Sequence, residues 1–245
     1  TFDDGYKDNL THALPVLEKY NIPATIYITT RFPEGDTWMW WYEIWDYLKN
    51  VNSIELNGIQ KNEYWETRTL RQKIRCYNKL LERIINLPFD EQIQLVENIT
   101  KIKDRKQYSH LCLNWEEIAI LDQHPLTTIG AHTHSHPNLK RLTMKDAFSE
   151  MSYSKTILEE KLKHSVDHFA YPFGSSDHAS FREFELATDC GFHSAVTTRP
   201  RCIRNVNVNS IPRLSSTYDT TIKNFRTKLS GIECLAYKIM SENNF

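Results

Sequence analysis

Glycine is scarce in this sequence: 7 residues in 245, against a usual share of about 7%. Collagen-like repeats and glycine-rich linkers are excluded, and each glycine becomes a place to look for a special backbone conformation. Cysteine pairs are missing too. Cys76, Cys112, Cys190, Cys202 and Cys234 form an odd set without a CxxC, which argues against a disulfide framework or zinc ribbon and favours the reduced thiols of a cytoplasmic protein. Neither sign of charge dominates, with 30 Lys plus Arg against 31 Asp plus Glu. No global field is available to gather nucleic acid, so no nucleic-acid partner is expected. No apolar run approaches the roughly 18 residues of a transmembrane segment. The chain opens at Thr1 without Met, so targeting is not read from its start. What is present is a globular composition, 40% hydrophobic and 12% aromatic, long enough to bury an ordinary core.

Periodicity divides the chain into three parts. Leu10, Leu14 and Leu17 share a helical face, with Pro15 marking a late helix start or a kink. Residues 23–30 read as a β-strand. From about 33 to 112 the pattern turns helical, with Trp41, Ile44, Trp45 and Leu48 on one face and Leu70, Ile74, Tyr77, Leu81 and Ile84 on another, so this stretch reads as a helical insertion. Asn114 and Glu117 then form a capping box stapled by Leu113 and Ile118. Strands are expected at Leu126 to Ala131, Asp167 to Tyr171, Ser194 to Thr198 and Ser210 to Arg213. Helices are expected from Thr143 to about Lys163 and from about Ala179 to a C′ glycine at Gly191. The alternation implies a mostly parallel α/β sheet, open or closed into a barrel, in a single domain over 1–245.

In such folds functional groups gather at the C-terminal ends of the strands. Asp3-Asp4-Gly5 follows what reads as a strand stump. It is an acidic turn, or a carboxylate pair that divides its work between holding a metal and acting as a base. Two HxxxH pairs occur where chance gives about 0.4. His132 and His136 follow a strand and can meet Asp4; His164 and His168 fall at the opposite end of the sheet. One helical turn ended by Pro137 would bring the first two imidazoles together, and with Asp4 they make a three-ligand hydrolytic centre. His134, between them, reads as a packing residue. In Phe169-Ala170-Tyr171-Pro172-Phe173-Gly174, Pro172 ends strand pairing and would leave the Tyr171 N–H free for an oxyanion. Trp38, Trp40 and Trp41 form either a sugar-stacking platform or part of a buried aromatic stripe.

Thr1-Phe2-Asp3-Asp4-Gly5, His132-Thr133-His134-Ser135-His136-Pro137 and Tyr171-Pro172-Phe173-Gly174 resemble, in this order, the first three motifs of the polysaccharide deacetylases, the NodB-homology or carbohydrate esterase 4 family. The resemblance covers residues 1–32 and about 113–215. It implies a distorted (β/α)7 barrel interrupted by the insertion, its first strand beginning upstream of Thr1. It also implies metal-dependent removal of N- or O-acetyl groups from an acetylated amino-sugar glycan. The family's roles fall on Asp3 as base and on Asp4, His132 and His136 as metal ligands. Zinc suits two imidazoles and a carboxylate, and Co, Ni, Mn or Fe are also accepted by such a set.

Two positions depart from the family pattern. Ala170 stands where relatives carry an arginine that orients the base, and Arg213 is expected to supply that charge. No Leu-x-x-His motif, the usual source of the general acid, follows Tyr171. A subgroup that shares the Phe-Ala-Tyr-Pro motif carries a Tyr-His pair before its Asp-Asp motif, and its members suggest capsule, lipopolysaccharide or other cell-surface glycans. Rival readings are an amidohydrolase of the same fold acting on a small amide, and a carbohydrate-binding homologue without turnover.

Overall fold

The computed structural model describes residues 1–57, 62–102, 107–201, 203, 207–217 and 220–232. Cys202 and Cys234 lie outside them. Cys76, Cys112 and Cys190 carry free thiols, and burial pushes these up to about 11, 12 and 12 respectively.

The α/β alternation yields a four-stranded parallel sheet. Its strands are β1 (Ala24–Ile28), β4 (Thr127–Ala131), β5 (His168–Ala170) and β6 (Ser194–Val196), adjacent in that order. Single parallel bridges extend both edges, Phe2 to Ile26 and Ile211 to Val196. The expected Ser210–Arg213 strand is reduced to that bridge, because Pro212 has no N–H to continue a ladder.

Alternation along the strands sorts the side chains onto two faces. Ile26, Ile28, Ile129, Ala131, Phe169, Tyr171 and Ala195 belong to the main core, together with Ile118 and Leu121 of α5 (Trp115–Asp122), Ala147, Met151 and Leu158 of α6 (Met144–Leu162), and Leu186 and Ala187 of α7 (Phe181–Asp189). Tyr27, Ala170, Val196 and Ile211 form a separate cluster from the intervening positions. Gly130 is required in this layer: a Cβ there would lie 2.5 Å from the Tyr27 ring and 2.9 Å from the His168 carbonyl.

The helix ends follow their capping residues. Asn114 and Glu117 close a reciprocal capping box, Thr143 accepts from the Asp146 N–H, and Gly191 follows α7 at φ 73°. At the other end of the chain a π-helical turn, Asn9–Ala13, runs into α1 (Leu14–Tyr20), with Pro15 at its start.

Between β1 and α5 the chain builds a second core. It contains α2 (Trp40–Asn50), the antiparallel hairpin β2 (Ser53–Asn57) and β3 (Asn62–Glu66), α3 (Leu70–Ile85) and α4 (Phe89–Thr100). The all-helical expectation is corrected by the hairpin, whose alternate residues Ile54 and Leu56 are buried. The α3 stripe is corrected as well. Leu70 and Ile74 are exposed; Cys76, Leu80 and Ile84 enter the core, and Tyr77, Leu81 and Ile85 lie along its margin.

Candidate metal centre and active site

Three loops meet at the C-terminal ends of the strands: Asp3-Asp4-Gly5 after Phe2, 132–137 after β4, and 171–174 after β5. Seven non-glycine residues among those described have positive φ. Asn21, Lys101 and Lys163 are ordinary helix C-caps. The other four, Asp4, Thr133, His136 and Phe173, all lie in these loops. Backbone in that region is costly for residues with a Cβ, and it concentrates where side chains must be aimed.

Asp4 Oδ1 lies 3.3 Å from His132 Nε2 and 3.2 Å from His136 Nε2. The two imidazole centroids are 5.0 Å apart. His132 Nδ1 is paired with the Ala170 carbonyl at 2.7 Å, which makes Nδ1 the protonated nitrogen and leaves Nε2 as the ligating one. The approach of Asp4 to both rings is not an aligned hydrogen bond: among the described residues, buried Asp4 Oδ1 and buried His136 Nδ1 have no hydrogen-bond partner. Burial opposes ionisation of Asp4, yet the two imidazoles hold its carboxyl well below the usual carboxylate range. Burial would likewise lower His132, but the carboxylates of Asp4 and Asp3 raise it. An anionic oxygen and two imidazoles with ligand atoms within 4.8 Å of one another fit a divalent cation.

The histidine loop reaches this geometry by a route other than the expected helical turn. Left-handed Thr133 and His136 form a bend, and Thr133 Oγ1 accepts from the His136 N–H at 3.0 Å. Glu150 of α6 holds the bend from behind: one oxygen accepts from the His134 and Ser135 N–H groups at 3.0 and 2.8 Å, the other from Ser135 Oγ at 2.6 Å. No local sequence signal marks Glu150, which lies outside all three motifs. His134 turns away from the centre, as expected, with Nδ1 3.0 Å from Thr30 Oγ1 and its ring 4.8 Å from Tyr153.

Asp3 stands beside the triad and is gripped by Arg213. Nη1 and Nη2 donate to its two oxygens at 2.6 and 2.7 Å, while Nε donates to the Thr197 carbonyl and Nη1 also to Thr1 Oγ1. Burial would raise Asp3, but the Arg213 hydrogen bonds and the charge of His132 bring it below its ordinary value. Arg213 and Asp3 are thus held together through both carboxylate oxygens.

Tyr171 is corrected. Its N–H is not free but donates to the Val196 carbonyl at 3.2 Å, because the parallel ladder that pairs Ala170 with Val196 continues to the residue before Pro172. Its buried hydroxyl donates to the Asn209 carbonyl at 2.8 Å, so Tyr171 braces the fold. The second HxxxH pair stays away from the centre: His164 Nε2 pairs with Asp122 and His168 Nδ1 with Ser194 Oγ.

Above Asp3, Asp4, His132 and His136 lies a cleft of about 360 Å³, walled by Trp40, Trp41, Tyr77, Leu81, Ile85 and Phe173. The three tryptophans of the sequence motif separate. Trp38 is buried in the second core, Trp40 is buried there too but reaches the cleft wall, and Trp41 faces the cleft with its ring 5.5 Å from His136 and its Nε1 donating to Tyr6 Oη at 3.1 Å. The spacing of Tyr77, Leu81 and Ile85, four residues apart on one helix face, was the available signal for this wall.

A family profile described as polysaccharide deacetylase matches residues 1–194. The chain belongs to the polysaccharide deacetylase family. Solved structures share the family fold at low sequence identity. The Streptococcus pyogenes deacetylase PplD, solved with acetate, has a TM-score of 0.56 at 17% identity, over 93% of this chain and 67% of that one. IcaB from Ammonifex degensii has a TM-score of 0.53 at 17% identity, over 95% and 71%. A de-N-acetylase from Aggregatibacter actinomycetemcomitans has a TM-score of 0.51 at 12% identity, over 93% and 72%. No curated protein matches the chain in sequence. Among the described residues no helix is long and apolar enough to cross a membrane.

Proposed function

We propose that this family member is a metal-dependent hydrolase that removes N-acetyl groups, or O-acetyl groups, from a poly- or oligosaccharide. The observation that carries the reading is the convergence of Asp4, His132 and His136 beside an Asp3 clamped by Arg213. Asp4, His132 and His136 would hold the ion, with zinc the best match to the donor set. When bound, such an ion polarises an acetyl carbonyl, stabilises the negative charge that develops there and acidifies water.

The chain's own groups supply the rest. Asp3 is ionised at neutral pH, and the fork leaves each carboxylate oxygen a further lone pair to accept a proton from the attacking water. Arg213 fixes the plane of that carboxylate. The His132 bond to Ala170 and the Glu150 clamp keep the ligand nitrogens in place. Trp41 and Phe173 exclude water from one side of the cleft. The leaving amine takes its proton from an acid that the three motifs do not supply, and the resemblance of Phe169-Ala170-Tyr171-Pro172 to its subgroup supports a cell-surface glycan as substrate.

Acetate release from an N-acetylglucosamine oligomer by the zinc-loaded protein tests the reading. Asp3→Asn should retain metal and lose ~10²-fold or more in rate, whereas His132→Ala should lose the metal itself. Wild-type turnover by Asp3→Asn would remove Asp3 as the base.

A further inference from the structure

The last described helix, α8 (Ile222–Leu229), stands apart from both cores. None of its residues is buried, and none belongs to a hydrophobic cluster among the described residues. Its sequence, Ile-Lys-Asn-Phe-Arg-Thr-Lys-Leu, nevertheless carries an apolar stripe. At about 100° per residue, Ile222, Phe225 and Leu229 fall within an arc of about 60°. They are 75%, 44% and 62% exposed. On the same wheel Arg226 borders the stripe on one side and Lys228 on the other, while Asn224 and Thr227 take the opposite face. Thr221 Oγ1 caps the start of the helix by accepting from the Asn224 N–H at 3.2 Å. Lys228 Nζ donates to the Ser215 carbonyl at 2.5 Å and ties the end of the helix to the segment just after Arg213.

The charge here is one-sided. Residues 220–232 hold the cations Lys223, Arg226 and Lys228 and no acid, in a chain whose formal balance is -1. The cover for such a stripe must offer apolar depth with negative charge at its margins. A second copy meeting it face to face would set these cations against their own equivalents, and like charges in register repel. An anionic bilayer surface supplies both properties in one plane. Acyl chains beneath can take Ile222, Phe225 and Leu229, and lipid phosphates lie where the long Lys and Arg stems end. A helix this short lies in the interface and does not span it.

We infer that α8 docks the protein on an anionic lipid surface, with the helix axis in the plane of the membrane and Ile222, Phe225 and Leu229 sunk between the headgroups. This goes beyond the deacetylase reading and stands independently of it.

Sedimentation of the full chain with phosphatidylcholine vesicles, with and without phosphatidylglycerol, tests the docking surface. The protein should pellet with the anionic vesicles, about tenfold or more less with the neutral ones, and added salt should release it. Lys223→Gln combined with Arg226→Gln should weaken partitioning about tenfold or more, since each cation near a charged bilayer counts for roughly fivefold. Phe225→Ser should weaken it about tenfold through lost apolar burial. Urea midpoints equal to that of the wild type mark these losses as surface effects, and the glutamine pair decides alone if Phe225→Ser fails to fold. Sedimentation with neither vesicle, equal sedimentation with both, or wild-type partitioning by the folded variants would each overturn the inference. The first of these outcomes would leave the stripe to an acid-rimmed groove on a protein partner.

Discussion

Arg213 and Asp3 stand 210 residues apart in the chain and meet through two hydrogen bonds of 2.6 and 2.7 Å. Arg213 follows the edge residue Ile211 and Asp3 follows the opposite edge residue Phe2, so this one fork links the two margins of the parallel sheet. The same fork lowers Asp3 against the effects of burial and of neighbouring Asp4, both of which raise it. Arg213→Ala should therefore move the acidic limb of the kcat/KM profile to higher pH and lower kcat about tenfold or more, as expected when a base loses its orientation. Arg213→Lys should lie in between, since an ammonium cannot fork. A pH-rate profile with an unmoved acidic limb would contradict the role.

Glu150 makes a second long-range connection. It accepts two backbone N–H groups and one hydroxyl from the segment between the two histidine ligands. Glu150→Ala should leave α6 intact, because the side chain serves the loop and not the helix, and should weaken zinc binding by roughly 10- to 100-fold. Competition with a chromogenic chelator measures this. Unchanged zinc affinity would show that Thr133 and the left-handed bend suffice.

Much of this architecture was legible because its signals are local. Capping at Asn114 and Thr143, the C′ glycine at Gly191 and the three strand-end motifs are each read within about six residues. Strand-helix alternation then brings the motifs to one end of the sheet. The hairpin escaped notice because Ser53–Asn57 is five residues long, too short for a period of two to stand out from one of 3.6. The histidine bend and the Tyr171 pairing escaped because they depend on partners distant in sequence, Glu150 and Val196. Arg213, at the end of the last strand candidate, was reached through the gap left by Ala170.

Gly130 offers a test of the packing beneath the site. The Tyr27 ring occupies the space that a side chain at 130 would need, and the His168 carbonyl closes the other side. Gly130→Ala should destabilise the protein by about 1–3 kcal/mol, the usual cost of overpacking a filled core. Urea unfolding measures the loss. Tyr27→Leu in the same chain should recover part of it, since a smaller side chain vacates the contact.

His164 provides a pH-dependent contact remote from the metal centre. Its Nε2 lies 2.9 and 3.0 Å from the oxygens of Asp122, and that hydrogen bond, followed by one to the Ser165 carbonyl, raises the imidazole above its ordinary value. A histidine raised on folding contributes stability that is fully present below its unfolded pKa and is lost as pH rises through the folded one. The pair is largely solvent-exposed on the histidine side, so the contribution is of the order of an exposed ion pair, about 0.2–1 kcal/mol. Asp122→Asn should therefore lower the urea midpoint at pH 5.5 and leave it nearly unchanged at pH 8.5. Equal losses at the two pH values would assign the contact to neutral hydrogen bonding, with no role for the imidazolium.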